Sequence, residues 1–128
     1  MACQILIASP SRSEREMMAS ILSEAGHITD VIPSIEEAMR VEDSGKYDLA
    51  IIDADFGAQG QGWLLAKQLR HSHWGKNLGI IILTRSSPMG FMHDTEYRDL
   101  YDQVLFFPVG VEELLANVER VMRFRKKR

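Results

Sequence analysis

The stretch Tyr47-Asp48-Leu49-Ala50-Ile51-Ile52-Asp53 carries four apolar side chains in succession and ends on a carboxylate. A strand with one wet face would alternate apolar and polar residues. An unbroken apolar run of this length reads instead as a strand covered on both faces, the mark of a parallel sheet. Two further runs have the same character, Ile5-Leu6-Ile7 and Ile80-Ile81-Ile82-Leu83. Working outward from them, apolar and β-branched segments recur at Gln4 to Ala8, His27 to Ile32, Asp48 to Ile52, Leu78 to Leu83 and Gln103 to Phe107, separated by stretches of helical character. The pattern predicts a (βα)5 α/β fold with a doubly wound, five-stranded parallel sheet. Right-handed crossovers then place helices on both faces and gather the loops after the strand C-termini at one edge.

The helical stretches carry start signals of their own. Ser11 with Glu14 and Ser34 with Glu37 have the Ser-x-x-Glu spacing of a capping box. Helical periodicity gives three apolar stripes expected in the core. They are Met17, Met18, Ile21, Leu22 and Ala25; Leu65, Ala66 and Leu69; and Val111, Leu114, Leu115, Val118, Val121 and Met122. Phe91 to Tyr101 is the least periodic, with Pro88 and Gly90 before it.

At 128 residues and 45% apolar content, the chain is long enough for one hydrophobic core and short for two. Residues 1–122 read as the domain and 123–128 as a basic tail or the start of a linker. That tail (Arg123, Arg125, Lys126, Lys127, Arg128) holds five of the fifteen basic residues, so the remaining ten face eighteen acidic ones. An acidic body offers no basic stripe, so contact with nucleic acid is expected only through an output domain outside this chain. No apolar run is long enough for a membrane span and no secretory signal opens the sequence, which predicts a cytoplasmic protein without membrane contact. The single cysteine, Cys3, excludes an internal disulfide and reads as a buried thiol in a reducing compartment.

Chemistry in such a sheet belongs at the C-terminal strand edge: Ser9-Pro10, Asp53 to Gly62, Thr84-Arg85 and Phe107-Pro108. The segment from Tyr47 to Asp53, the Gly-rich loop after it and Trp63-Leu64-Leu65 resemble the third strand and following helix of response-regulator receiver domains, the CheY-like family. Ile5-Leu6-Ile7, Glu24-Ala25-Gly26, Ile80 to Thr84 and Phe107-Pro108 fall in the matching places, so the resemblance spans nearly the whole chain. It implies a flavodoxin-like receiver fold, a phosphoacceptor aspartate at Asp53, a signalling threonine at Thr84 and a cis bond before Pro108.

The departures carry the functional reading. Ser9 and Pro10 stand where receivers hold the acidic pair that binds magnesium, and a hydroxyl beside a proline is a poor ligand set for a hard cation. Phe107 stands where the family has its lysine, and its ring is expected to fill the vacated volume near Thr84 and Pro108. The aromatic switch residue is absent, with Val104 further up the strand. Asp55 could add a carboxylate or be a solvated loop residue. Gly57, Gly60 and Gly62 suggest a mobile loop or positive φ.

The expectation is an atypical receiver with no cofactor, or weak Mg2+ at most, that acts by protein contact within a two-component or phosphorelay system. Its partners would be signalling proteins, a histidine kinase or an output domain. Homodimerisation is also expected, through the face formed by the fourth helical stretch, fifth strand and fifth helical stretch. Met89, Phe91, Met92, Tyr97, Tyr101 and Val104 would supply the anchors there. The alternative keeps Asp53 as an acceptor of phosphoryl groups from a histidine kinase. A flavodoxin-like cofactor binder is the third reading, since Ser9, Ser11 and Ser13 open a helix. His71 and His73 beside Trp74 read as a turn rather than a metal site, and the absence of Ser-His-Asp, Cys-His or P-loop patterns argues against an enzyme.

Overall fold

The computed structural model describes residues 3–40, 46–55, 61–71, 77–85 and 100–125. Five strands, β1 (Gln4–Ala8), β2 (Ile28–Ile32), β3 (Leu49–Asp53), β4 (Gly79–Thr84) and β5 (Gln103–Phe106), form one sheet in the order β2-β1-β3-β4-β5. Every neighbouring pair is parallel. The helices are α1 (Arg12–Glu24), α2 (Ile35–Met39), α3 (Gly62–Arg70) and α4 (Val111–Arg125). The doubly wound architecture expected from the apolar runs is the one present.

Alternation along the central strands divides the core into two layers. Leu6, Ala50, Ile52, Ile80 and Ile82 point to the face covered by Ala38 of α2 and by Leu65, Ala66 and Leu69 of α3. Ile5, Ile7, Leu49, Ile51, Ile81 and Leu83 point the other way, under Met18 and Leu22 of α1 and Leu114, Val118, Val121 and Met122 of α4. Cys3 is buried in this second layer. Central strands buried on both faces explain why their sequences do not alternate.

β1 coincides with its apolar run, β3 and β4 are each shifted one residue later, β2 begins one residue later and β5 ends one residue earlier. Asp53 and Thr84 are the last residues of their strands, while His27, Asp48, Leu78 and Phe107 lie outside them. Asp48 instead works as a connector at the opposite edge. Its Oδ2 accepts from the Gln4 N–H at 2.9 Å, its own N–H donates to the Gln4 carbonyl, and its carbonyl accepts from the Gly79 N–H.

The stripes are narrower than periodicity implied. Met17 and Val111 are exposed, as is Ala25. α1 lies over β1 and the edge strand β2, so the row beyond Met18 and Leu22 runs off the sheet. Val111 belongs to the first turn of α4, ahead of the part that covers the core. Gly26, at φ 94°, ends α1 in the left-handed conformation, with the His27 N–H reaching back to the Leu22 carbonyl. α4 runs on to Arg125, so the first basic residues of the tail continue that helix. Arg123 pairs with Glu119 one turn away. No helix among the described residues is long and apolar enough to cross a membrane.

One ion pair fastens α3 to the far side of the sheet. Arg70 bonds Asp102 Oδ2 at 3.0 Å and the Leu78 carbonyl at 2.9 Å, and the same carboxylate accepts from the Ile80 N–H at 2.9 Å. Both side chains are largely buried, so removing one partner leaves a charge without compensation in low dielectric. Asp102→Ala should lower the unfolding free energy by about 3 kcal/mol. Urea denaturation checks it, and a midpoint equal to that of the parent would show the pair to be energetically idle.

Candidate functional site

The polar residues gather at the C-terminal edge of the sheet, where β1, β3 and β4 end side by side. Asp53 closes β3 and is completely buried. Its Oδ1 accepts from the Asp55 N–H at 2.8 Å, and its Oδ2 lies 3.4 Å from Nη1 of Arg85. The turn after it is fixed by the Ala54 N–H, which donates to the Leu83 carbonyl at 2.8 Å. α3 begins directly against this turn. A Cβ on Gly62 would stand 2.1 Å from the Asp53 carbonyl oxygen and 3.0 Å from backbone atoms of Ala54. Glycine is required there for close approach, and not for the positive φ that its loop position suggested.

Ser9, at the end of β1, is also buried. Its hydroxyl accepts from the Ser11 N–H at 3.2 Å and donates to Glu14 Oε2 at 3.4 Å, and its carbonyl accepts from Arg15. Pro10 faces solvent. The expected capping box at α1 is half formed: Ser11 Oγ accepts from the Glu14 N–H, but the Glu14 carboxylate turns away to Ser9 and to the Arg85 guanidinium. At α2 the same half is present, with Ser34 Oγ accepting from the Glu37 N–H at 3.2 Å.

Arg85 follows Thr84 at the end of β4 and connects the cluster. Its guanidinium meets Glu14, lies 3.4 Å from Asp53 Oδ2 and 3.9 Å from Asp55 Oδ2, and sits 4.2 Å from the centroid of the Phe107 ring. Phe107 packs against the α1/α4 core layer, and its N–H donates to the Thr84 carbonyl at 3.0 Å. The bond from Phe107 to Pro108 is cis, as the resemblance implied. Phe107 is therefore half-buried beneath a cation, and Thr84 is buried beside it.

The fold is similar to that of solved receiver-domain structures. The chain is 27% identical to the response regulator TrrA from Thermotoga maritima, solved in complex with Mg2+-BeF, with a TM-score of 0.78 over 93% of this chain and 98% of that one. The receiver domain of sensor histidine kinase PA1611 from Pseudomonas aeruginosa, with a magnesium ion in its active-site cleft, superimposes with a TM-score of 0.81 at 18% identity, covering 95% and 98% of the two chains. The fold is that of a response-regulator receiver domain. Among curated proteins, the adventurous-gliding motility protein Z of Myxococcus xanthus is 26% identical over 114 residues; the match takes in 88% of this chain and 8% of that relative's length. No protein-family model matches.

The two magnesium-bearing neighbours pose the question of whether the residues of this chain fit the ion. Magnesium needs hard oxygen ligands in near-octahedral order. Here the Asp53 carboxylate is buried with a backbone donor and a guanidinium against its oxygens, the same guanidinium meets Glu14 and lies 3.9 Å from Asp55, and the β1 end offers a serine hydroxyl already bonded to Glu14. The residues do not fit a tightly held magnesium ion. Among the described residues, no group of three or more His, Cys, Asp or Glu is arranged to hold a metal. An anion on the Ser9, Ser11 and Ser13 hydroxyls would meet the Glu14 carboxylate, which opposes a phosphate cradle there.

Two members of the cluster escaped the sequence reading. Glu14 was assigned to the capping box, and its spacing gave no sign that its side chain serves the site. Arg85 lay on the strand edge, yet the missing lysine at Phe107 hid the fact that a cation arrives from another strand. On the anticipated interaction face, Tyr101 and Val104 are half-buried against the α2/α3 core layer, and Tyr101 meets Trp63 edge-to-face at 6.1 Å. Met89, Phe91, Met92 and Tyr97 lie outside the described residues, as do His73, Trp74, Gly57 and Gly60; His71 is exposed.

Burial pushes the Asp53 carboxyl above its ordinary range. The Asp55 N–H and Arg85 pull it back, while the Asp55 and Glu14 charges add to the rise. An acid whose folded-state pKa is raised holds its proton more tightly in the fold, so it favours folding at low pH and loses that contribution as pH rises through the folded value. Asp53→Asn should therefore gain on the parent as pH is raised from about 4 to neutrality, and thermal melts across that range check it. Parallel curves would contradict the burial effect. Gly62→Ala should cost about 3 kcal/mol through overpacking against backbone, read from urea denaturation; a cost within experimental error would show that α3 can move away.

Proposed function

We propose that this receiver fold works as a protein-contact module of a two-component or phosphorelay pathway, in a state that does not depend on magnesium-assisted phosphorylation. The observation that carries the reading is the closure of Asp53. The carboxylate is wholly buried, one oxygen is taken by a backbone donor, and the other lies under a guanidinium that also grips Glu14 and Asp55. An incoming phosphoryl donor needs an accessible oxygen and a metal or cation to neutralise its charge. Here the cation is already engaged by three carboxylates, and Ser9 and Pro10 add no metal ligand of their own.

The function then rests on surfaces. The face of β5 and α4 is the one proposed for partners or for a second copy, and the partners would be a histidine kinase or an output domain. Receiver neighbours support signalling partners of this class.

A second reading has an observation in its favour. Arg85 supplies positive charge close to Asp53 Oδ2, so the lysine missing at Phe107 is not by itself a bar to an acyl phosphate at Asp53. The two readings separate in one experiment. The purified chain, incubated with beryllofluoride or an acyl-phosphate donor in millimolar Mg2+, should show no added mass on Asp53 and unchanged Trp63 fluorescence. One added phosphate on Asp53 would overturn the contact-only reading in favour of the phosphoacceptor.

A further inference from the structure

We infer that Arg85 is the resident counter-cation of this site, a tethered guanidinium that holds the electrostatic place of a divalent metal ion and keeps the carboxylates closed to one. The inference rests on the reading above in treating the site as shut, and it names the side chain that shuts it.

The charges of the site come from unexpected positions. No acid stands at Ser9 or Pro10, but Glu14, in the first turn of α1, brings a carboxylate back to the Ser9 hydroxyl. No cation stands at Phe107, but Arg85 brings one from the end of β4 and rests it on the Phe107 ring. An acid has shifted from strand end to helix, and a cation from one strand to its neighbour. The aromatic at 107 then has a use, as the platform that orients the guanidinium through the attraction of a cation to a ring face. Its packing on the α1/α4 core layer keeps that platform in place.

The chemistry of arginine suits the role. The guanidinium stays protonated at any physiological pH and presents several donors in a fixed plane, so one side chain can address Glu14, Asp53 and Asp55 together. A cation attached to the same chain meets these oxygens at the high effective concentration of an intramolecular partner. A metal ion from solution would have to displace it and would feel its positive charge at close range. Arg85 is about half exposed, with Glu14 at 17% and Asp53 at zero, so the guanidinium lies over the buried carboxylate as a lid with one side in solvent.

The test is Mg2+ titration of the whole chain, followed by Trp63 fluorescence and by calorimetry, for the parent, Arg85→Ala, Arg85→Gln and Arg85→Lys. Both neutral variants should bind Mg2+ about tenfold more tightly than the parent or better, since a unit charge beside the ion has been removed. Arg85→Lys, which keeps the charge, should not gain, and adding Asp53→Asn to either neutral variant should abolish the gain. Gln, a shorter neutral side chain that keeps an amide donor, serves if Ala proves poorly folded by circular dichroism. Unchanged Mg2+ affinity in a folded neutral variant overturns the inference. Phosphorylation of the parent at Asp53 would instead overturn the contact-only reading and leave the role of Arg85 standing, so the two failures are distinct.

Discussion

A carboxylate buried at the end of the apolar central strand β3 is the constraint around which this domain is arranged. Desolvation makes the ionised form of Asp53 costly, and a backbone donor and a guanidinium offset part of that cost. The turn from Ala54 to Asp55 aims an N–H at one oxygen. The end of β4 delivers Arg85 to the other. α3 starts without a side chain at Gly62, so that its first turn can lie against the Asp53 carbonyl. The Phe107 N–H to the Thr84 carbonyl and the packing of Phe107 on the α1/α4 core layer hold the ring on which Arg85 rests.

The fold was readable because its signals are local and strong. Leu49 to Ile52 and Ile80 to Leu83 are apolar at every position, which only a doubly covered strand explains, and Gly26 and Ser11 mark the ends of α1 without reference to anything distant. The site was readable in part. Asp53, Thr84 and Ser9 belong to strand ends, and the position of a strand end follows from the strand. Arg85 and Glu14 were not legible because their contact joins residues 71 apart in sequence, and long side chains reach in directions that spacing does not encode. Glu14 also had a sufficient local explanation in the capping box, which concealed its second task. The same limit applies to Met17 and Val111: periodicity assigns a face to a helix but does not say where the sheet beneath it ends.

These contacts suggest how a receiver fold can keep its architecture while changing how it is used. The strand edge still brings together an aspartate, a hydroxyl and a cation, but the cation is covalently part of the chain and the carboxylates are satisfied internally. A site arranged in this way has its carboxylates balanced by a cation of the chain itself.

The central claim is that Arg85 and Asp53 stabilise each other, and a double-mutant cycle in stability tests it most directly. Urea denaturation of the parent, Arg85→Ala, Asp53→Asn and the double variant at neutral pH and low salt yields the coupling free energy between the two positions. The account predicts a favourable coupling of about 1 kcal/mol or more, falling as salt is added. Additivity of the two substitutions, within about 0.3 kcal/mol, would mean that the guanidinium only rests near the carboxylate, and that Asp53 is accommodated without it.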